Sequence, residues 1–346
     1  MPAAVYVGDG EIAVRDLEIP APGPAEALVE VSHCGICGTD LHLVLERYAR
    51  PDSVLGHEWA GTIAAVGPSV QGWEIGARVV QNPITGCGEC RACLRGRPSV
   101  CLRRDAPDLL DFSHGAFTRY KVVPAARLLR VPESLSTRAA ALTEPTAIAI
   151  HTVNLSGAQP GDRVLVTGGG PVGLLTTAVL RARGIDDITV SEPAPLRRER
   201  ALGVGASRVI APADLARAPM GRPVAEPYTL AFECSGNAAA AESAFDQLDY
   251  AGTLVFVGTG HEMPRINHNR AIVLELTIIA AYNYDLEGFA PALELLASGR
   301  LPLDALIERD DVLLDDVLAT MHRLAAGELP GKVMVRPETR HQEGKT

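Results

Sequence analysis

Cysteines stand at positions 87, 90, 93 and 101, so four of the chain's seven fall within fifteen residues. No other feature of the sequence restricts the fold as strongly. Thiolates at these spacings can wrap one tetrahedral Zn²⁺ and fill its coordination shell, which leaves no position open for chemistry. Gly86, Gly88 and Gly96 suit a backbone that must curl round an ion. The competing reading is buried apolar thiols or two disulfides. Disulfides belong to exported chains, and the start Met1-Pro2-Ala3-Ala4 has neither the basic stretch nor the apolar run of a signal peptide. Cysteines 87, 90, 93 and 101 are therefore expected to form a structural metal lobe in a cytoplasmic protein.

The surrounding chain is long enough for two domains, at 346 residues, and its 47% apolar content can fill a sizeable core. A net charge of −10 argues against a nucleic-acid backbone or an anionic membrane as partner. No apolar run is long enough to span a bilayer. The first third carries short runs broken by Pro and Gly: Ala27–Ser32, Gly61–Gly67, Arg78–Val80 and Tyr120–Val123. Strands of that length and density predict a small, partly closed antiparallel barrel.

Near residue 160 the texture changes. Arg163–Thr167 reads as a buried strand, followed by a glycine turn and a helical stretch from Leu174 to Arg183. Further strand-like runs at Asp187–Ser191, Ser207–Ile210, Tyr228–Phe232, Thr253–Val257 and Leu276–Ala280 alternate with helical ones, which predicts a doubly wound parallel sheet. Amphipathic helices over Gly288–Ser298 and Asp315–Ala326, a strand over Lys332–Val335 and a polar, fraying tail from Thr339 complete the pattern.

The turn reads Gly168-Gly169-Gly170-Pro171-Val172-Gly173. A Gly-x-Gly-x-x-Gly pattern is weak alone, but this one follows a buried strand and opens a helix, where unpaired N–H groups can receive a pyrophosphate. Glu192 ends the next strand, nineteen residues after Gly173. A carboxylate there can accept hydrogen bonds from the ribose hydroxyls and repels a 2′-phosphate, which favours NAD over NADP. Arg197 and Arg198 follow and offer a phosphate partner, so NADP stays open.

A second group of potential ligands, Cys37, His57 and Glu58, mixes sulfur, nitrogen and oxygen. A closed all-sulfur site together with a mixed one is the pattern of a zinc enzyme with one metal for shape and one for chemistry. Cys34-Gly35-Ile36-Cys37 lacks the second pair of a zinc ribbon, since the next cysteine is fifty residues downstream.

Cys34–His42, Gly56-His57-Glu58 with Gly61, the cysteine lobe and Gly168–Gly173 occur in this order. Together they resemble the zinc-dependent medium-chain dehydrogenases, the alcohol, polyol and threonine dehydrogenase group. The likeness runs from about Leu28 to Arg336. It implies an α/β protein with a GroES-like, mostly β catalytic domain over 1–150, a zinc lobe at 86–102, a Rossmann NAD-binding domain over 151–285 and a return to the catalytic domain over 286–346. It implies two zincs per chain. Cys37 and His57 would be the first catalytic ligands, with Glu58 and Glu144 as acids near the metal, either of which could ligate it. Asp40 would orient the histidine, Thr39 and His42 would relay a proton, and Gly168, Gly170, Pro171, Val172, Gly173, Glu192 and Arg197 would bind the cofactor.

Expected from this likeness is reversible hydride transfer from a secondary alcohol, diol, polyol or amino alcohol to NAD, in a homodimer or homotetramer joined near Leu276–Tyr282. Leu142–Thr146 has no cysteine, which places the chain nearer the polyol and threonine dehydrogenases. An NADP-preferring reductase and a catalytically silent NAD- and zinc-binding sensor are the alternatives. A zinc-free reductase does not fit the full ligand set, nor a nucleic-acid zinc knuckle the acidic charge and 4% aromatic content.

Overall fold

The computed structural model describes residues 1–83, 86–103, 114–219 and 221–340, so the tail beyond residue 340 lies outside the described residues. In chain order the first strands are β1 (Pro2–Gly8), β2 (Glu11–Asp16), β3 (Glu26–Gly35), β4 (Ser53–Val54), β5 (Glu58–Val66), β6 (Arg78–Gln81), β7 (Tyr120–Pro124) and β8 (Leu128–Arg130). A parallel series follows: β9 (Arg163–Thr167), β10 (Asp187–Ser191), β11 (Arg208–Ile210), β12 (Tyr228–Glu233), β13 (Leu248–Phe256) and β14 (Thr277–Ala280). The chain ends with β15 (Val312–Leu313) and β16 (Met334–Arg336).

Two compact units result. The first comprises Met1–Glu144, Phe289–Ser298 and Ile307–Thr346; the second comprises Pro145–Gly288 and Gly299–Leu306. The first unit holds a small sheet ordered β2-β1-β4 and a larger one ordered β15-β16-β3-β5-β6-β8, with β7 also paired to β3. β3 is its spine. It runs antiparallel to β5, β7 and β16, so that Gly35 lies opposite Glu58 on one side and Met334 on the other. Val29, Val31, Ile63, Val79, Phe117, Met321, Val333 and Val335 meet in its core. Each such side chain contributes about 1.5–3 kcal/mol by leaving water.

The second unit is one sheet ordered β11-β10-β9-β12-β13-β14, every pairing parallel. Its central strands β9 and β12 are buried over Val164–Thr167 and Leu230–Glu233, as expected of parallel strands covered on both faces. Among the described residues, no helix is long and apolar enough to cross a membrane.

Strand positions differ from the sequence expectation where local pattern is silent. The β1–β2 hairpin was not foreseen, since Pro2–Val7 is an apolar run without alternation and β2 is largely exposed. The helix after the glycine turn begins at Pro171, three residues before Leu174, because proline has no N–H to lose in a first turn.

Candidate active site

The lobe cysteines converge: the Sγ atoms of Cys87, Cys90, Cys93 and Cys101 all lie within 4.8 Å of one another. Cys90 and Cys101 are 3.9 Å apart, close to the ~3.8 Å edge of a tetrahedron with ~2.3 Å metal–sulfur bonds. None of the chain's cysteines forms a disulfide. Backbone N–H groups point at the sulfurs, from Cys90 to Cys87 (3.3 Å), Cys87 to Cys101 (3.4 Å), Arg103 to Cys101 (3.4 Å) and Leu102 to Cys90 (3.5 Å). Such donors favour the thiolate. Those of Cys93 and Leu102 pull the Cys90 thiol down to about 6, and those of Cys87 and Arg103 lower Cys101. Desolvation pushes Cys93 the other way, to about 11. A Cβ on Gly86 would strike the Cys93 sulfur, so glycine is needed for this closeness. Four convergent sulfurs with N–H donors behind them are a donor set that fits zinc.

The mixed group is assembled differently. Cys37 precedes the helix Gly38–Leu45, and Asp40 in its first turn accepts the Cys37 N–H at 2.9 Å. The other Asp40 oxygen accepts from the Gly56 N–H at 3.3 Å and lies 3.6 Å from His57 Nδ1. One fully buried carboxylate thus ties the cysteine's loop to the histidine's. Burial opposes a charged His57, yet the Asp40 and Cys37 charges outweigh it and hold the imidazole pKa well above its ordinary value. A Cβ on Gly56 would collide with Phe117 and the buried Cys34 thiol, which is accordingly a core residue.

Ligand atoms of Cys37, His57 and Glu58 lie within 4.8 Å of one another. Glu58 is 1% exposed and engaged by Lys332, whose Nζ is 2.7 Å from Oε1 and 2.6 Å from Oε2. Glu144, at the start of the helix Thr143–Ser156, stands outside that set. Burial raises its carboxyl to about 7, with His57 and Lys332 opposing and Glu58 and Asp40 adding to the rise. Thr39 Oγ1 is 3.8 Å from the Cys37 sulfur. His42 Nδ1 pairs with Glu46 at 2.6 Å, and the ring is 41% exposed.

In the second unit, Gly168 leaves β9 at φ +96°, and a Cβ there would press on Ser235. Gly170 caps the helix Pro171–Ala182, and Gly173 lies so close to the Gly168 carbonyl that no side chain fits. Glu192 accepts the Gly169 N–H at 2.7 Å and the Ala194 N–H at 2.9 Å. Two of its roughly four acceptor positions are thus used by backbone. Arg198 donates to the Glu192 and Pro193 carbonyls at 2.6 and 2.7 Å, whereas Arg197 packs beside Gly169.

Residues 23–133 match the alcohol dehydrogenase GroES-like domain and residues 171–298 the zinc-binding dehydrogenase domain. L-threonine 3-dehydrogenase of Pyrococcus horikoshii is 35% identical over 92% of this chain and 93% of its own. The chain belongs to the zinc-dependent medium-chain dehydrogenase family. Sorbitol dehydrogenase of Bacillus subtilis is 33% identical over 93% of both chains. A zinc-binding dehydrogenase of Sinorhizobium meliloti 1021, solved bound to NADP, is 30% identical with a TM-score of 0.85, covering 97% of this chain and 99% of that one.

Sequence reasoning missed three features of this dehydrogenase. Lys332 comes from the far end of the chain and reads there as an ordinary strand residue. Glu233 shapes the loop beside Gly168 by accepting the Ser235 N–H (2.7 Å), the Ser235 hydroxyl (2.5 Å) and the Gly236 N–H (3.1 Å). The Glu-Cys-Ser-Gly run at 233–236, just after a strand, could have suggested such a turn. His151, buried within a helix, places Nδ1 3.0 Å from Glu287 and Nε2 3.9 Å from Asp285.

Proposed function

We propose that this enzyme oxidises a secondary hydroxyl flanked by another polar group, in a diol, polyol or amino alcohol, with NAD as acceptor, and reduces the matching carbonyl in reverse. The observation that carries it is the convergence of Cys37, His57 and Glu58, with the half-buried Glu144 close enough for their charges to shift its carboxyl, which is raised to about 7. Cys37 and His57 would hold a catalytic zinc, with a glutamate completing the protein's share, while Cys87, Cys90, Cys93 and Cys101 would hold a structural one. When bound, the catalytic zinc supplies Lewis acidity that eases loss of an alcohol's proton, and the nicotinamide accepts the hydride.

The protein's own residues do the rest. Asp40, 3.6 Å from Nδ1, would orient the His57 ring. Thr39 and His42 are three residues apart on one helix and so share a face. Thr39 would take the alcohol's proton onward to His42, and the part-exposed ring would release it to water. The Gly170–Gly173 helix start would receive the pyrophosphate, with Gly168 allowing close approach and Arg197 at the rim. Glu192 would bind the ribose hydroxyls with its remaining acceptor positions.

Names of relatives support the substrate class, since threonine and sorbitol both carry a secondary hydroxyl next to a polar substituent. Assembly into a homodimer or homotetramer through the β14 edge is our reading of a strand that ends its sheet, with Ile278 45% exposed. The test is nicotinamide reduction by zinc-replete protein with diols, sugar alcohols, threonine and simple alcohols, NAD and NADP in parallel. NAD turnover by a diol, polyol or threonine is expected. Turnover confined to simple alcohols would contradict the substrate class, and silence with zinc and NAD bound would favour the sensor.

A further inference from the structure

We propose that His151 and Asp285 form a further binding site, for one divalent metal cation of the first transition row, with Glu287 orienting the histidine. None of the three belongs to the cysteine lobe or to the group of Cys37, His57 and Glu58.

The fold brings the pieces together from two places in the chain. His151 belongs to Ala149–Val153, a run buried at every position within the helix Thr143–Ser156. Asp285 and Glu287 come from the segment after β14, in a turn closed by the Gly288 N–H donating to the Asp285 carbonyl at 3.0 Å. A Cβ at Gly288 would strike the Tyr284 side chain, so only glycine admits a turn this tight. His151 is wholly buried and Asp285 is 3% exposed, whereas Glu287 keeps 47% of its side-chain surface. Ligand atoms of all three lie within 4.8 Å of one another.

The hydrogens on the ring decide what fits between them. Glu287 Oε1 lies 3.0 Å from His151 Nδ1. A carboxylate only accepts, so Nδ1 carries the hydrogen, and in the neutral ring Nε2 presents a lone pair. Nε2 makes no hydrogen bond and faces Asp285 Oδ2 at 3.9 Å. Two acceptors thus look at each other in a buried space, which costs free energy until something positive lies between them.

Distance selects the occupant. A bridging water with two hydrogen bonds of about 2.8 Å spans about 4.5 Å at a tetrahedral angle, too long for this gap. Two metal–ligand bonds of about 2.1 Å span about 3.4 Å at a tetrahedral angle and about 4.2 Å in line, which brackets it. A carboxylate behind the imidazole is also what orients a ligating histidine and raises its basicity. Imidazole joined to carboxylate suits first-row divalent ions. Two protein ligands hold such an ion more weakly than the lobe's four sulfurs, so it exchanges on gel filtration and leaves the count of tightly held zinc unchanged. When filled, the site joins the helix of His151 to the turn at 285–288.

The experiment takes zinc-loaded enzyme freed of excess metal by gel filtration and titrates it with manganese chloride, reading free Mn²⁺ from its electron paramagnetic resonance signal. Wild type is expected to take up one Mn²⁺ per chain with its zinc count unchanged, and to melt at a higher temperature with Mn²⁺ than without. Asp285→Asn and His151→Asn should weaken uptake by about 100-fold, and Glu287→Gln by about tenfold. No uptake by wild type would put a proton in the cation's place and overturns the proposal. So does uptake that Asp285→Asn leaves unchanged, which would assign the Mn²⁺ to exposed acids elsewhere. Should the two buried variants not fold, Glu287→Gln decides, because its side chain is half exposed: an affinity equal to that of wild type overturns the proposal as well.

Discussion

The two ligand clusters of this dehydrogenase differ in how far along the chain they must reach. The cysteine lobe is closed by fifteen consecutive residues, with backbone N–H groups donating to its sulfurs. The mixed cluster draws on Cys37, His57 and Glu58, and the buried side chains Asp40 and Lys332 lie against it. A local loop can gather its ligands and their N–H donors from one short run of chain. The Glu58–Lys332 pair is instead placed by tertiary structure, through the β16–β3–β5 register.

The sharpest break between the clusters should come from Cys37→Ser and Cys90→Ser. Loss of Cys37 is expected to lower turnover by on the order of 10³-fold or more, with a melting temperature near that of wild type. Cys90→Ser should act on the fold first, costing several kcal/mol and roughly 5–10 °C in melting temperature. Equal unfolding in both variants would erase the distinction.

A smaller effect separates the clusters by pH. The Glu144 carboxyl is raised from the usual 4.5 to about 7, so its burial is tolerated while protonated and opposed once ionised. Its contribution to stability is therefore complete below about 4.5 and lost as pH rises through about 7. Metal-free enzyme should lose about 3 kcal/mol across that window, and Glu144→Gln should remove most of the slope. Melting curves of the two proteins at several pH values check this. An identical slope in Glu144→Gln would assign the effect to another group.

The second unit gives the mildest prediction. Glu192→Ser should narrow the preference for NAD over NADP by about 10- to 100-fold, the worth of one or two hydrogen bonds to a charged group. Parallel kcat/KM values for the two cofactors measure it, and an unchanged ratio would move the choice to Arg197 or another neighbour.

Legibility in the sequence follows the same division. The lobe, the glycine turn and β9 to β14 could be read because ligands, turn residues and buried runs are close together in the chain. Asp40 was readable from likeness to a family, and its capping bond to the Cys37 N–H has a local cause. Lys332 was not readable, since a lysine opening a strand looks like a solvated residue until β16 is paired with β3. Glu233 was missed for a related reason: a carboxylate that folds back on the N–H groups two and three residues on leaves no periodic mark. The β1–β2 hairpin went unseen because an apolar run buried over its first five residues has no alternation.

The most direct test of the account is a zinc count per folded chain, by elemental analysis, in wild type, Cys37→Ser and Cys90→Ser. Two zincs in wild type are expected, one in Cys37→Ser with the fold intact, and loss of the lobe's zinc together with stability in Cys90→Ser. Two zincs retained in Cys37→Ser, or one in wild type, would contradict the division of the ligands into a site for shape and a site for chemistry.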